Sequence, residues 1–200
     1  MRIGLRPILL VLAGLTLVAP ASAQQSALTV PGNLEQLTDR SAVIVRGNVI
    51  SARMEKHPEL TNLDTVVVTL RVRETLKGHA GSTFTFRQYV WDLRDRMNAV
   101  GYEKGQDVLL MMIAPSRYGL SSPAGMEQGR FRIQRDGSGR EYAVNSRNNL
   151  WLLDGVGARF AKEGITPSPA AAILLARHRS GPVALGELTA LIRQLAARSE

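Results

Sequence analysis

Apolar and polar residues alternate along the stretch that begins at Thr65 and reads TVVVTLRVRETLKGHAGSTFTF. Side chains of an extended strand point alternately to its two faces, so one face of this stretch is apolar. Four side chains share that face: Val66, Val68, Leu70 and Val72. The alternation restarts after the glycine-rich connection 77–81, with Phe84 and Phe86 separated by a threonine. We therefore predict two strands that are joined by this connection and contribute to one core.

Two further segments predict buried strands. Residues 41–53 read SAVIVRGNVISAR and are apolar on both faces, which is typical of a central strand in a curled sheet or barrel. Gly47 lies inside this segment and permits a sharp bend or a bulge. The run 108–114 is apolar at every position and has turn residues at both ends, so we expect a short buried strand there.

The segments 130–134 and 141–145 predict a hairpin around the turn Asp136-Gly137-Ser138-Gly139. Two apolar residues of the first strand are expected to face two of the second: Phe131 and Ile133, and Tyr142 and Val144. Five arginines lie on or beside this hairpin: Arg130, Arg132, Arg135, Arg140 and Arg147.

Helical patterns flank this strand-rich region. Residues 33–39 begin with Asn33, a favourable helix cap, and predict one short helix. Ser168-Pro169 is a favourable helix start, and Gly181-Pro182 interrupts the helical region. In the final segment apolar residues recur at helical spacing, and we expect this stripe to pack inside the protein: Leu188, Leu191, Ile192 and Leu195.

The start of the chain has the pattern of a secretory signal peptide. Arg2 and Arg6 precede an apolar run at 8–18, and the small residues Ala21-Ser22-Ala23 predict cleavage before Gln24. The alternative is a membrane anchor that stays uncut, but the apolar run is short for a bilayer span. We predict a periplasmic or secreted protein with no transmembrane segment after cleavage.

Composition narrows the classes of function. The sequence contains no cysteine, which excludes a disulfide scaffold, a thiol nucleophile and a cysteine zinc site. Lysine and arginine number 25 against 17 acidic residues, giving a formal net charge of +8. Positive potential favours anionic partners, with a simply solvated basic surface as the alternative.

Candidate catalytic groups are sparse. The three histidines, His57, His79 and His178, lie far apart and form no metal-ligand motif. We therefore predict no enzyme activity, no catalytic residue, no metal site and no cofactor. The alternative is a hydrolase whose residues converge from separate loops, in which case His57, Asp92 and Asp95 are the candidates.

The arginines of the hairpin give the candidate binding surface. Alternation places Arg130 and Arg132 on the same side of their strand, and we predict that they and Arg140 bind ligand. The expected partner is an anionic envelope polymer or another protein. Nucleic acid is not expected, because the aromatic residues of the hairpin are assigned to the core and the chain is predicted to be exported.

Three motifs carry a family resemblance: RGNVIS, ETLKG and KGQDVLLMMI. Over residues 33–145 the chain resembles exported bacterial proteins of unassigned function, whose OB-fold core is similar to netrin and TIMP modules. The resemblance implies a mainly β fold: a small five-stranded OB-like barrel with a short N-terminal helix and C-terminal helices. We accordingly divide the chain into a signal peptide at 1–23, an OB-like domain at 24–147 and a C-terminal helical extension at 148–200.

The inhibitors in that group chelate a protease zinc through an N-terminal cysteine. This chain has no cysteine, so that mechanism does not transfer. A fold of this kind hosts many functions. We predict an exported, non-catalytic binding or interaction module of the bacterial envelope. The alternatives are the hydrolase described above and a protease inhibitor of netrin or TIMP shape that works without a zinc-chelating cysteine.

Overall fold

The computed structural model describes residues 30–90, 92 and 99–197. Within these residues the strands are β1 Val43–Lys56, β2 Asp64–Lys77, β3 Thr83–Tyr89, β4 Asp107–Met112, β5 Arg130–Arg135, β6 Glu141–Asn145 and β7 Val183–Ala184. They form one antiparallel sheet in the order β3-β2-β1-β4-β5-β6-β7. The α-helices of the same residues are α1 Leu34–Arg40, α2 Val156–Lys162, α3 Pro169–Arg177 and α4 Leu185–Ala196. The protein is therefore mainly β, as the sequence predicts.

The sheet separates two apolar clusters. Strand β4 shows this most clearly, because Leu109 and Met111 belong to the cluster on the helical side. Val108 and Leu110 belong to the cluster on the opposite side. All four side chains are fully buried. Strand β4 is thus the buried apolar strand that the sequence predicts, with a hydrophobic core on each face.

This two-sided packing corrects the predicted five-stranded OB-like barrel. The sheet has seven strands and is open, with β3 and β7 at its edges. A strand that is apolar on both faces needs apolar layers on both sides, and helices α1 and α4 provide one of those layers. The pattern in β1 and β4 therefore reflects a covered open sheet, which a sequence pattern cannot distinguish from a barrel.

The predicted irregularity at Gly47 is confirmed. The register between β1 and β2 shifts between Arg46 and Gly47. A Cβ atom at this position would lie 2.5 Å from the carbonyl oxygen of Arg71 on the neighbouring strand. Only glycine allows the two backbones to approach so closely.

The hairpin β5–β6 is confirmed, but its predicted cross-strand pairs are wrong. Phe131 lies opposite Asn145, and Ile133 lies opposite Ala143. The connection between the paired strand ends comprises residues 136–140, one residue longer than the predicted turn. The extra residue shifts the register of the two strands by one position. Asn145 and Ala143 therefore lie opposite Phe131 and Ile133, in place of Val144 and Tyr142.

Helix α3 begins as predicted. The Oγ atom of Ser168 accepts a hydrogen bond from the backbone N–H of Ala171 at 3.2 Å, and Pro169 occupies the first turn. The stripe on α4 also packs inside the protein, since Leu188, Leu191 and Ile192 are fully buried in the cluster that contains α1 and β4 residues.

The predicted domain boundary between residues 147 and 148 stays a prediction, and the predicted signal peptide lies outside the described residues. None of the described helices is both long enough and apolar enough to cross a membrane.

Candidate functional site

Arg130, at the start of β5, is a buried arginine with three partners. Its side chain is 8% exposed. Its Nη1 atom donates a hydrogen bond of 2.6 Å to the carbonyl oxygen of Val100, and its Nη2 atom lies 2.5 Å from Oε2 of Glu127. The guanidinium carbon lies 4.4 Å from the ring centre of Tyr102. An ion pair and a cation–π contact therefore fix this guanidinium in one position.

The segment bound by Arg130 is a strained turn. Ala99, Val100 and Gly101 have φ angles of 49°, 58° and 71°. This left-handed region is rare for residues other than glycine, above all for a β-branched residue such as Val100. Such conformations cost about 1–3 kcal/mol each, and they persist where surrounding contacts impose them. Here the hydrogen bond from Arg130 supplies such a contact.

A second guanidinium lies beside this turn. A Cβ atom on Gly101 would lie 3.4 Å from Nη2 of Arg130 and 3.9 Å from Nη2 of Arg132. The two groups therefore converge above Gly101. Arg132 is exposed, and no ion pair links it to another described residue. We call this arrangement the arginine site: Gly101, Tyr102, Glu127, Arg130 and Arg132.

Among the residues that the structure describes, Arg132 is the member of the arginine site whose positive charge has no ion-pair partner. Glu127 compensates the charge of Arg130, whereas Arg132 extends into solvent. Burial raises the pKa of Tyr102 well above its usual value, and the charge of Arg130 offsets that effect only in part. Tyr102 is therefore neutral at physiological pH and donates a hydrogen bond of 3.3 Å to Oε1 of Gln88. The site can hold an anion at Arg132 against the fixed guanidinium of Arg130.

The third predicted ligand-binding residue lies elsewhere. Arg140 belongs to the turn of the hairpin, where its Nε atom lies 3.3 Å from Oδ2 of Asp136 and 3.0 Å from Oγ of Ser138. It lines a groove of about 610 Å³ together with Arg46 and the start of α4. The structure thus brings Arg130 and Arg132 together and places Arg140 at the other end of the hairpin. The assignment of ligand binding to all three stays a prediction.

The remaining hairpin arginines have partners of their own. Nη2 of Arg135 lies 2.7 Å from Oε1 of Glu141 and 3.4 Å from Oδ2 of Asp107. The guanidinium of Arg147 lies over the ring of Trp151. Neither arginine is a member of the arginine site.

His57, one of the three candidates of the hydrolase alternative, is a buried histidine that links two loops. It is 2% exposed. Its Nδ1 atom accepts hydrogen bonds from the backbone N–H groups of Glu59 and Leu60, at 3.2 and 3.0 Å. We therefore assign the proton to Nε2, which donates to the carbonyl oxygen of Tyr118 at 2.9 Å. Both nitrogens are used to join two loops.

The other candidates of that alternative give no cluster to describe. Asp95 lies outside the described residues, and Asp92 is half-buried with an interaction of its own. In the part of the chain that the structure covers, no group of three or more histidine and acidic side chains is arranged to hold a metal ion.

Sequence reasoning missed three members of the arginine site, Gly101, Tyr102 and Glu127. Tyr102 follows an irregular segment whose left-handed turn depends on contacts with a distant strand. Glu127 precedes Arg130 by three residues, and this spacing is the only local signal for the ion pair.

Comparisons of the chain with protein-family models, with curated proteins and with solved structures give no match. The resemblance to netrin and TIMP modules therefore stays a prediction.

Proposed function

We propose that the chain is an exported, non-catalytic module of the bacterial envelope that binds an anionic polymer through the arginine site. The observation that carries the proposal is the pairing of an exposed arginine, Arg132, with a buried and fixed one, Arg130, above Gly101. Arg130 and its ion pair with Glu127 form a rigid support beside Arg132, and a rigid site loses less conformational entropy when an anion binds. The exposed guanidinium can form two parallel hydrogen bonds to a phosphate or carboxylate group.

Two further features support binding rather than catalysis. The hydrogen bonds of His57 go to backbone groups of loops, so its imidazole acts as a structural link. The excess of 25 basic over 17 acidic residues gives a long-range attraction to anionic polymers, in which Arg132 adds a specific contact.

The test uses retention on a phosphate-bearing cation-exchange resin over a salt gradient. We expect the Arg132→Gln variant to elute from this resin at lower salt than the wild type. Its apparent affinity for soluble polyphosphate should be weaker roughly tenfold, equivalent to about 1.4 kcal/mol. Arg177→Gln is the matched control, because Arg177 is an exposed arginine on α3, on the helical side of the sheet. Equal effects of the two variants would show that only net charge matters and would reject the site.

A further inference from the structure

Three residues other than glycine adopt left-handed conformations in a single turn that follows β6. Asn148, Asn149 and Trp151 have φ angles of 53°, 54° and 60°. Asparagine tolerates this region, but a tryptophan rarely adopts it. Strained residues of this kind often occur at functional sites. We call residues 148–151 the tryptophan turn.

The buried side-chain amide of Asn149 holds the tryptophan turn in place. Asn149 is fully buried. Its Nδ2 atom donates hydrogen bonds of 2.9 Å to the carbonyl oxygens of Ala143 and Gly181. Its Oδ1 atom accepts a hydrogen bond of 2.9 Å from the backbone N–H of Asn145. The backbone of the turn is therefore rigid, although its tip is in solvent.

This rigid turn presents apolar side chains to the solvent. Leu150 is 40% exposed and Trp151 is 45% exposed. Both are large apolar residues, and adjacent exposed apolar side chains are typical of interaction sites. The fixed backbone means that their exposure does not result from a disordered loop.

Positive charges accompany the two apolar side chains. The guanidinium carbon of Arg147 lies 5.8 Å from the ring centre of Trp151. Its Nη1 atom is buried and has no hydrogen-bond acceptor among the described residues. The segment that carries the exposed Arg179 is joined to the turn, because the N–H of Gly181 donates to the carbonyl oxygen of Asn148 at 2.7 Å. Within four residues of the turn the charged side chains are Arg147 and Asp154, and the joined segment adds Arg179.

We propose that the tryptophan turn is a peripheral membrane contact, in which Leu150 and Trp151 enter the interface of an anionic bilayer. Tryptophan and leucine beside arginine are the residue types that bind at that interface, where the ring lies among the headgroups and arginine pairs with lipid phosphate. A stable protein partner would need roughly 800 Å² of surface from each side, which two partly exposed side chains do not provide.

This inference is independent of the proposed polymer binding, which depends on Arg132. The test is flotation of the protein, recovered from cells that express the full chain, with vesicles of phosphatidylglycerol and phosphatidylethanolamine. We expect binding to these vesicles and at least fivefold weaker binding to phosphatidylcholine vesicles. Trp151→Asn should weaken the binding at least fivefold, and Leu150→Ser should weaken it as well. Circular dichroism checks that each variant is folded.

Asn148→Gly is the matched control. It removes a left-handed residue from the same turn and keeps both apolar side chains, so vesicle binding should equal that of the wild type. The chain has two tryptophans, and in a Trp91→Phe background the emission of Trp151 should shift to shorter wavelength on anionic vesicles. Brominated lipids should quench that emission.

Several results would overturn the proposal: no flotation with anionic vesicles, unchanged binding by folded Trp151→Asn, or emission that does not respond to lipid. Loss of a protein cross-link in Trp151→Asn without any vesicle binding would assign the turn to a protein partner instead. Trp151→Asn should keep its retention on the phosphate resin, and Arg132→Gln should keep the emission shift, so failure of one proposal is distinguishable from failure of the other.

Discussion

Arg130 covers the ring of Tyr102, with its guanidinium carbon 4.4 Å from the ring centre. The two residues come from β5 and from the segment that follows a left-handed turn. The same guanidinium binds the carbonyl oxygen of Val100 and the carboxylate of Glu127. One arginine therefore joins the strained turn, an aromatic side chain of the core and an acidic residue.

Arg130→Met should destabilise the protein by about 2–4 kcal/mol. The methionine fills space but leaves the carbonyl oxygen of Val100 and the carboxylate of Glu127 without this partner. Arg132→Met is the control on the same face of the same strand, and we expect it to change stability by less than about 0.5 kcal/mol. Urea unfolding measures both. Similar losses in the two variants would contradict the structural role given to Arg130.

Tyr102 should make the protein sensitive to alkaline pH. An unfolded tyrosine loses its proton near pH 10, whereas burial raises the pKa of Tyr102 in the folded protein. The unfolded state therefore deprotonates first, and the free energy of unfolding falls as the pH rises above about 10. Tyr102→Phe removes this contribution.

We expect the urea midpoint of Tyr102→Phe to fall less between about pH 9 and pH 11 than that of the wild type. At lower pH the variant should be less stable by about 1 kcal/mol, because the hydrogen bond to Gln88 is lost. Parallel pH curves for the two proteins would be inconsistent with a buried, neutral Tyr102.

The sequence was informative where local pattern determines structure. Alternation located β2 and β3, uniform apolarity located β4, and Ser168-Pro169 located the start of α3. The hairpin register was wrong because Arg140 belongs to the turn, where its N–H donates to Oδ1 of Asp136. No local signal in the sequence predicted the long-range architecture, which is an open sheet between two hydrophobic cores.

The arginine site was predictable only in part. Alternation correctly placed Arg130 and Arg132 on one face of β5. The left-handed conformation of Ala99 and Val100 was not predictable, because neither residue favours it and tertiary contacts impose it. The left-handed conformation of Trp151 was missed for the same reason, because tryptophan does not favour it.

His57→Ala should lower the free energy of unfolding by about 2–4 kcal/mol. The change removes three hydrogen bonds to backbone groups of two loops and leaves a buried cavity. His57→Gln retains one donor and one acceptor and should recover part of the loss. His79→Ala is the control, since His79 is exposed. Equal stability of the two alanine variants, by urea unfolding, would contradict the role of His57 as a link between loops.

The carboxyl group of Asp136 should titrate at low pH. Hydrogen bonds from the Ser138 side chain and from backbone N–H groups of the turn lower the pKa of Asp136 to about 2. A lowered folded pKa contributes stability above the unfolded value near 3.9, and this contribution is lost as the pH falls towards 2. The turn should therefore loosen in acid.

NMR titration of the Asp136 carboxyl carbon checks this directly. We expect Ser138→Ala to raise the pKa of Asp136 towards its usual value, because Ser138 makes the largest favourable contribution. Arg140→Gln should raise the pKa less, since the charge of Arg140 makes the smallest of the contributions. A pKa that is unchanged in Ser138→Ala would exclude the hydrogen bond from the Ser138 side chain as the cause.

Leu191→Ala should destabilise the whole protein by roughly 3–5 kcal/mol. Leu191 is fully buried on α4, in a cluster that also contains Leu37 of α1 and Leu109 of β4. Removal of its side chain would leave a cavity where the last helix meets the sheet. Ile173→Ala is the control, because Ile173 is 58% exposed on α3 and should lose less than about 1 kcal/mol. Near-ultraviolet and far-ultraviolet circular dichroism should shift together in Leu191→Ala, since α4 and the sheet share one core. If the helical signal alone were lost first, α4 would be a separate unit whose burial contributes little to the stability of the sheet.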